Sequence, residues 1–178
     1  MSHVFLREIR RTDLPLINGW RGDRSLIEQL GSPFRHVGPE VDERWFEQYL
    51  ATRTNNVRLA ICTSNEQMIG AVYLLGIDWV NRNTEFAIWI GDPAARNRGI
   101  GEAATRQALD HAFLDLNLER IYLHVLTNNT RAIKLYRKVG FVQEGIQRRA
   151  VYKGGEYRDL LLMSLLRHEY RAGRPLGR

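Results

Sequence analysis

An arginine- and glycine-rich hexapeptide, RNRGIG at positions 96–101, stands between a strand-like and a helix-like stretch of the chain. The start of a helix offers unpaired backbone N–H groups and the positive end of the helix dipole. Glycines just before it let a ligand approach the backbone, and guanidinium groups suit phosphate oxygens. The hexapeptide therefore predicts an anion site, although a flexible connector with solvated arginines explains the same residues equally well.

A second cluster of residues, NNTRAIKLYRKVGF, spans positions 128–141 and contains the pattern N-x-x-A-x-x-x-Y-x-x-x-G-F. Asn128 or Asn129 can cap a helix whose apolar face includes Ala132 and Tyr136. Gly140 stands where a C-terminal cap belongs. Taken singly, each of these residues has such a structural explanation.

Changes in hydrophobic period define the elements that must position these residues. The predicted strands are 4–9, 57–63, 68–77, 83–90, 120–126, 141–151 and 156–166. One predicted helix begins near residue 12, and the others cover 25–30, 42–54, 99–116 and 129–139. This order, without a repeat or linker, predicts one α/β domain over residues 1–170, followed by a disordered basic tail at 171–178.

Composition limits the class of protein. The 178 residues carry a formal net charge of +6 and are 44% hydrophobic, as in an ordinary globular domain. Four arginines lie in the last twelve residues, so the rest of the chain is only mildly basic and does not demand nucleic acid. Cys62 lies in an apolar stretch that is typical of a buried thiol. With no secretory signal and no apolar run of about 20 residues, we expect a cytoplasmic protein that binds no membrane.

The two clusters, in this order and with strands before and after each helix, resemble the GNAT superfamily of acetyl-CoA-dependent N-acetyltransferases. Arg96-x-x-Gly99-x-Gly101 is similar to its pyrophosphate-binding motif, and the pattern from Asn129 to Phe141 is similar to its next motif. Residues 131–166 resemble the branch of ribosomal-protein N-terminal and spermidine N-acetyltransferases. The resemblance implies a GNAT fold, which is a mixed, mostly antiparallel, twisted sheet of about seven strands flanked by helices, with a splayed central strand pair.

The resemblance also implies acetyl-CoA as a co-substrate, with no metal. The pyrophosphate would lie on the N–H groups of residues 98–103, and the pantetheine arm would run along residues 86–90. The cofactor-binding residues implied in this way are Ile88, Trp89, Ile90, Arg96, Asn97, Arg98, Gly99, Ile100, Gly101, Glu102, Ala103, Asn129, Ala132 and Tyr136.

Two proton transfers give the candidate catalytic residues that the resemblance implies. Tyr136 stands at the family's position for the acid that protonates the departing thiolate. Glu85 is the candidate base that takes a proton from the acceptor amine, directly or through water. An exposed ion pair between Glu85 and Arg82 explains that carboxylate equally well. A backbone N–H near Ile88 or Trp89 can stabilise the oxyanion.

The identity of the acceptor amine stays open. A polyamine site needs concentrated negative charge, whereas residues 26–44 mix four acidic side chains with Arg35, His36 and Arg44. A protein N-terminus is therefore preferred over a polyamine, an amino sugar or an antibiotic amine. The candidate lining residues are Trp20, Phe34, Arg35, His36, Trp45, Arg148, Arg149, Tyr152 and Tyr157. A non-catalytic acetyl-CoA-binding module and a nucleic-acid binder are alternatives from other classes, and the branch implies a homodimer.

Overall fold

A seven-stranded sheet forms the centre of the computed structural model, which describes residues 4–172. The strands are β1 (Val4–Glu8), β2 (Asn56–Thr63), β3 (Met68–Asp78), β4 (Asn83–Ile90), β5 (Arg120–Leu126), β6 (Val142–Lys153) and β7 (Glu156–Leu166). The helices are α1 (Leu14–Arg21), α2 (Arg24–Ile27), α3 (Pro39–Thr52), α4 (Ile100–Asp110), α5 (Thr130–Val139) and α6 (Arg167–Ala172). Residues 173–178 of the predicted tail lie outside the described residues. No helix in the described range is long and apolar enough to cross a membrane.

The sheet has the strand order β1-β2-β3-β4-β5-β7-β6. Its neighbours are antiparallel except for β4 and β5, which are parallel and pair over only three residues each, Asn83–Glu85 with Arg120–Tyr122. Beyond that point the two strands separate. The structure therefore confirms the predicted mixed sheet with a splayed central pair.

Alternation along the strands gives the sheet two buried faces. On one face, α4 and α5 pack over a large core that includes Ala104, Phe113, Ile121 and Leu165. On the other face, α1 and α3 pack over a smaller core that includes Ile17, Phe46 and Tyr73. The splayed pair lies between these two cores, so both faces can contribute residues to it.

The predicted helix boundaries agree with the structure where a local cap sets them. Asn129 caps α5 by accepting a hydrogen bond from the Ala132 N–H at 3.1 Å, and Gly140 ends the helix with a φ of 110°. The helix predicted over 99–116 keeps its α-helical form to Asp110 and then widens into a π-helical turn at His111–Asp115. The third helix begins three residues earlier than predicted because Pro39 suits a first turn, where its missing N–H costs nothing.

Candidate active site

A cavity of about 1110 Å³ lies where β4 and β5 separate, and residues from both sheet faces line it. Ile100 and Tyr136 line it from the α4 and α5 side, and Trp20 and Tyr73 line it from the α1 and α3 side. Along residues 86–90, the backbone groups that point toward β5 have no strand partner. Because backbone N–H and C=O groups require hydrogen-bond partners, this edge can bind an extended ligand in place of a strand.

Arg96 fixes the loop that leads into α4. Its Nε donates to the Ile90 carbonyl at 3.2 Å and its Nη2 donates to the Gly91 carbonyl at 3.1 Å. The side chain therefore lines the cavity while it holds the end of β4.

Two glycines shape the N-terminus of α4. Gly99 has a φ of 76°, in the left-handed region that favours glycine, and it directly precedes the first residue of the helix. A Cβ on Gly101 would lie 3.1 Å from Leu135 Cδ1, so the missing side chain lets α4 and α5 approach each other closely. Both glycines line the cavity and leave the backbone at the helix start accessible to a ligand.

Helix α5 adds positive charge to this end of the cavity. Arg131, Lys134 and Lys138 all line it, although the sequence reasoning did not select them. Arg131 donates to Asn97 Oδ1 at 3.1 Å, and the Lys138 ammonium lies 2.7 Å from Glu102. Their spacing of three and seven residues places the three cations on one helix face, and this spacing is the signal that could have identified them.

The structure brings twelve of the fourteen predicted cofactor-binding residues to the cavity wall. They are Ile88, Trp89, Ile90, Arg96, Asn97, Gly99, Ile100, Gly101, Glu102, Asn129, Ala132 and Tyr136. Arg98 lines a separate cavity of about 300 Å³ with Val4 and Thr63. Ala103 packs against the larger core, one turn along α4. Arg98 is thus turned away from the cavity that the other residues share.

Tyr136 lies in the core and at the cavity wall at once. Its ring packs edge-on against Phe86 and Phe141, with centroids 6.3 and 5.7 Å away. Its hydroxyl has no hydrogen-bond partner among the described residues, and burial raises the pKa of the phenol above its ordinary value. The phenol is therefore protonated at neutral pH and is available as a donor.

Glu85 pairs with a histidine that the sequence reasoning missed. His124 Nδ1 lies 2.8 Å from Glu85 Oε1, and both side chains line the cavity. The alternative partner, Arg82, instead donates to the Asn117 carbonyl and lies near Glu119. Within residues 4–172, no group of three or more His, Cys, Asp or Glu side chains is placed to hold a metal ion.

Aromatic residues line the end of the cavity where the acceptor is expected, which is called the acceptor end below. The Trp20 ring packs edge-on against Trp89 at 5.2 Å and covers Gly91, where a Cβ would lie 2.1 Å from the ring. Of the nine residues predicted to line the acceptor pocket, Trp20 and Arg35 line the cavity. The other seven do not line it, and they are Phe34, His36, Trp45, Arg148, Arg149, Tyr152 and Tyr157.

The loop after α2 forms one wall of the cavity and is tied down at two points. Lys153, on the β6–β7 hairpin, donates to the Ile27 carbonyl at 2.9 Å and to the Ser32 carbonyl at 2.6 Å. Asn129 Nδ2 donates to the Gln29 carbonyl at 3.1 Å while its Oδ1 caps α5. The loop therefore connects the hairpin to the start of α5, across the mouth of the cavity.

Comparison with known proteins gives consistent matches. The model of the GNAT acetyltransferase domain matches residues 3–142. Spermidine N(1)-acetyltransferase of Vibrio cholerae is 30% identical over 169 residues, which are 95% of this chain and 96% of the relative. A crystal structure of the Vibrio cholerae spermidine N-acetyltransferase with CoA and spermine superposes with a TM-score of 0.89 at 28% identity, covering 94% of this chain and 98% of that one. A dodecameric structure of the same enzyme gives a TM-score of 0.82 at 29% identity, with 94% and 95% covered.

Proposed function

Because this chain belongs to the GNAT acetyltransferase family and is an acetyl-CoA-dependent N-acetyltransferase, we propose that its acceptor is the primary amine of a small molecule. The similar proteins named as spermidine N-acetyltransferases support the small-molecule alternative, polyamines included, over the protein N-terminus that the sequence reasoning preferred. The observation that carries the proposal is the cavity between β4 and β5, which has a basic end on one sheet face and the Glu85–His124 pair on the other.

The residues at the basic end suit coenzyme A. The N–H groups at the start of α4, together with Arg131, Lys134 and Lys138, would hold its phosphates. The unpartnered backbone edge at residues 86–90 would bind the extended pantetheine arm. When bound, acetyl-CoA supplies the activated acetyl group as a thioester.

The Glu85–His124 pair would prepare the acceptor. An amine with a pKa near 10 is mostly protonated at neutral pH and must lose a proton before it attacks. If His124 donates its Nδ1–H to Glu85, its Nε2 carries a lone pair, and no described residue hydrogen-bonds that nitrogen. Glu85 either accepts the proton itself or holds the imidazole in the orientation that accepts it.

Tyr136 would protonate the departing sulfur. A thiolate has a reference pKa of about 8.5, and a phenol that stays protonated at neutral pH can donate to it. The Glu85–His124 pair takes the proton that the ammonium loses before attack, and the thiol receives the proton of Tyr136 as the carbon–sulfur bond breaks. The nitrogen loses its second proton to solvent, which returns a proton to Tyr136. The acetyl group can therefore move directly from sulfur to nitrogen without a covalent enzyme intermediate.

A screen of acceptors with a free-thiol readout tests this proposal. The panel contains polyamines, amino sugars, aminoglycosides and peptides with free N-termini, each with acetyl-CoA. We expect thiol release with small-molecule amines and none above background with peptides. A higher kcat/KM for peptides than for every small amine would overturn the small-molecule assignment and restore the protein N-terminus.

We also propose that the chain forms a homo-oligomer. The smallest such assembly is the homodimer predicted above. The similar Vibrio cholerae enzyme has a structure described as dodecameric. In this chain, β6 is an edge strand, and Val142, Ile146 and Tyr152 on it are more than half exposed. Light scattering coupled to gel filtration tests this, and a monomer at micromolar concentration would contradict it.

A further inference from the structure

Arg58 places a guanidinium in the wall of the acceptor end of the cavity. It lies on β2 in register with Tyr73 on β3, which is in register with Ala87 on β4. Directly paired residues of neighbouring strands point to the same sheet face, and side chains alternate along a strand. Arg58 therefore shares a face with Glu85, two residues before Ala87.

Aromatic rings surround this guanidinium, but no carboxylate does. Its central carbon lies 4.9 Å from the ring centre of Tyr73, 5.0 Å from that of Trp45 and 5.7 Å from that of Tyr49. Its Nε is buried and has no hydrogen-bond partner. Among the described residues, none forms an ion pair with Arg58, so the rings hold the side chain while its charge stays uncompensated.

The neighbouring Arg21 packs on the same aromatic cluster, but its positive charge is balanced by a carboxylate. It lies 4.8 Å from the Trp45 ring and pairs with the fully buried carboxylate of Asp42. The cluster thus holds two guanidiniums and one carboxylate. Burial lowers the pKa of Arg58, Tyr73 and Tyr49 partly oppose this effect, and the positive charge of Arg21 adds to it. A partly buried charge without a carboxylate partner is unfavourable, and an anion on the ligand would reduce that penalty.

We propose that Arg58 binds a carboxylate of the acceptor, so that the substrate is an amine that also carries a carboxylate, such as a free amino acid. This inference rests on the proposed function and narrows its acceptor class. The planar guanidinium offers two parallel N–H donors, which match the two oxygens of a carboxylate. A polyamine would instead bring a second ammonium toward an unpaired guanidinium, which is repulsive.

The amine of such an acceptor would lie at Glu85 and His124, and the carboxylate at Arg58. Two strand spacings and two residues separate the backbones of Arg58 and Glu85, which places them roughly 12 Å apart. Both residues line the cavity, so one ligand can contact both. Lysine and ornithine suit a first test because each has one amine beside its carboxylate and a second at the end of its side chain.

The experiment compares each amino acid with its decarboxylated counterpart. Lysine is paired with cadaverine and ornithine with putrescine. Lysinamide, in which an uncharged amide replaces the carboxylate, is the control, and spermidine represents the polyamines. We expect kcat/KM to be about 10- to 100-fold higher for the carboxylated member of each pair. R58Q should abolish this preference by raising KM for the amino acids, and R58K should restore part of it. The matched control R10Q, at an exposed arginine outside the cavity, should keep it.

A second readout does not depend on turnover. Trp20 and Trp89 line this end of the cavity, and the Trp45 ring packs against Arg58, so lysine binding to the CoA-loaded protein should change the tryptophan fluorescence. Cadaverine should give no change at the same concentration, and R58Q should lose the response to lysine.

Three results overturn the inference. A preference for diamines or spermidine in the wild-type protein contradicts it and leaves the proposed function intact. A preference for amino acids that persists in R58Q would show that Arg58 does not bind the carboxylate of the acceptor. Absence of thiol release with every amine overturns the proposed function and this inference with it.

Discussion

Glu85 Oε1 and His124 Nδ1 lie 2.8 Å apart at the point where β4 and β5 begin to separate. Glu85 is the last residue of β4 that pairs with β5, and His124 lies two residues beyond its partner, Tyr122. The hydrogen bond therefore spans the narrow end of the gap. This position brings a proton acceptor to the cavity wall on the face that is opposite to α4 and α5.

E85Q and H124Q test whether this pair acts as one unit. Each substitution should lower kcat/KM by about 100-fold or more, because a positioned base contributes on that order. The double variant should be little worse than either single variant, since residues that act together are not additive. E119Q is the control, because Glu119 is an exposed acid outside the cavity. Wild-type kcat/KM in both single variants would show that Glu85 and His124 have no role in catalysis.

Y136F should lower kcat by about 10-fold or more and leave the Kd of acetyl-CoA nearly unchanged. The hydroxyl has no described hydrogen-bond partner, so its removal leaves no buried group unsatisfied, and the ring contacts with Phe86 and Phe141 remain. Steady-state kinetics give kcat and calorimetry gives the Kd. A variant that turns over at the wild-type rate would exclude Tyr136 as the acid.

G101V should weaken acetyl-CoA binding, because its side chain would crowd Leu135 at the start of α4. G99V should weaken it as well, because a β-branched residue is strained at a φ of 76°. G19A is the matched control, since nothing lies within 4 Å of its new Cβ. Calorimetry with acetyl-CoA measures the effect, and unchanged affinity in G99V and G101V would refute the binding role of this helix start.

Glu144 should contribute stability that is lost in acid. Hydrogen bonds from Arg120 and from Ser164 lower its pKa to about 2, against about 4.3 in an unfolded chain. Because the folded pKa is the lower one, the contribution is present above about pH 4.3 and disappears as the pH falls toward 2. Both partners are about one-third exposed, so E144Q should cost about 1 kcal/mol or less at neutral pH.

Urea unfolding of the wild-type protein and E144Q, from about pH 7 down to about pH 3, measures this difference. The gap between their free energies of unfolding should narrow as the solution becomes more acidic. A gap that stays constant with pH would show that titration of Glu144 is not its source.

The parts of the fold that the sequence predicts well are those that local chemistry sets. Asn129 and Gly140 bound α5 as predicted because a side-chain cap and a left-handed glycine act within one turn. The strand predicted over residues 156–166 has the same bounds in the structure, where it forms β7 between β5 and β6. Hydrophobic period and cap residues are sufficient for these elements.

The residues that sequence reasoning missed depend on contacts between distant segments. His124 meets Glu85 only because of the register of a short parallel strand pair, which no local pattern fixes. Arg96 and Arg98 lie in an irregular loop, where no period sets the direction of a side chain. Arg96 binds two carbonyl oxygens at the cavity wall, whereas Arg98, also predicted to bind the cofactor, lines a different cavity.

The separation of β4 and β5 also bears on the order in which acetyl-CoA and the acceptor amine can bind. Because residues from both faces of the sheet line the gap, we expect acetyl-CoA and the acceptor to enter it from different faces, so that neither has to leave before the other arrives. Both can be bound at once, and the protein does not need to store the acetyl group on one of its own side chains. The expected kinetic scheme is therefore sequential, through a ternary complex. Each product can leave on the side from which the corresponding substrate entered.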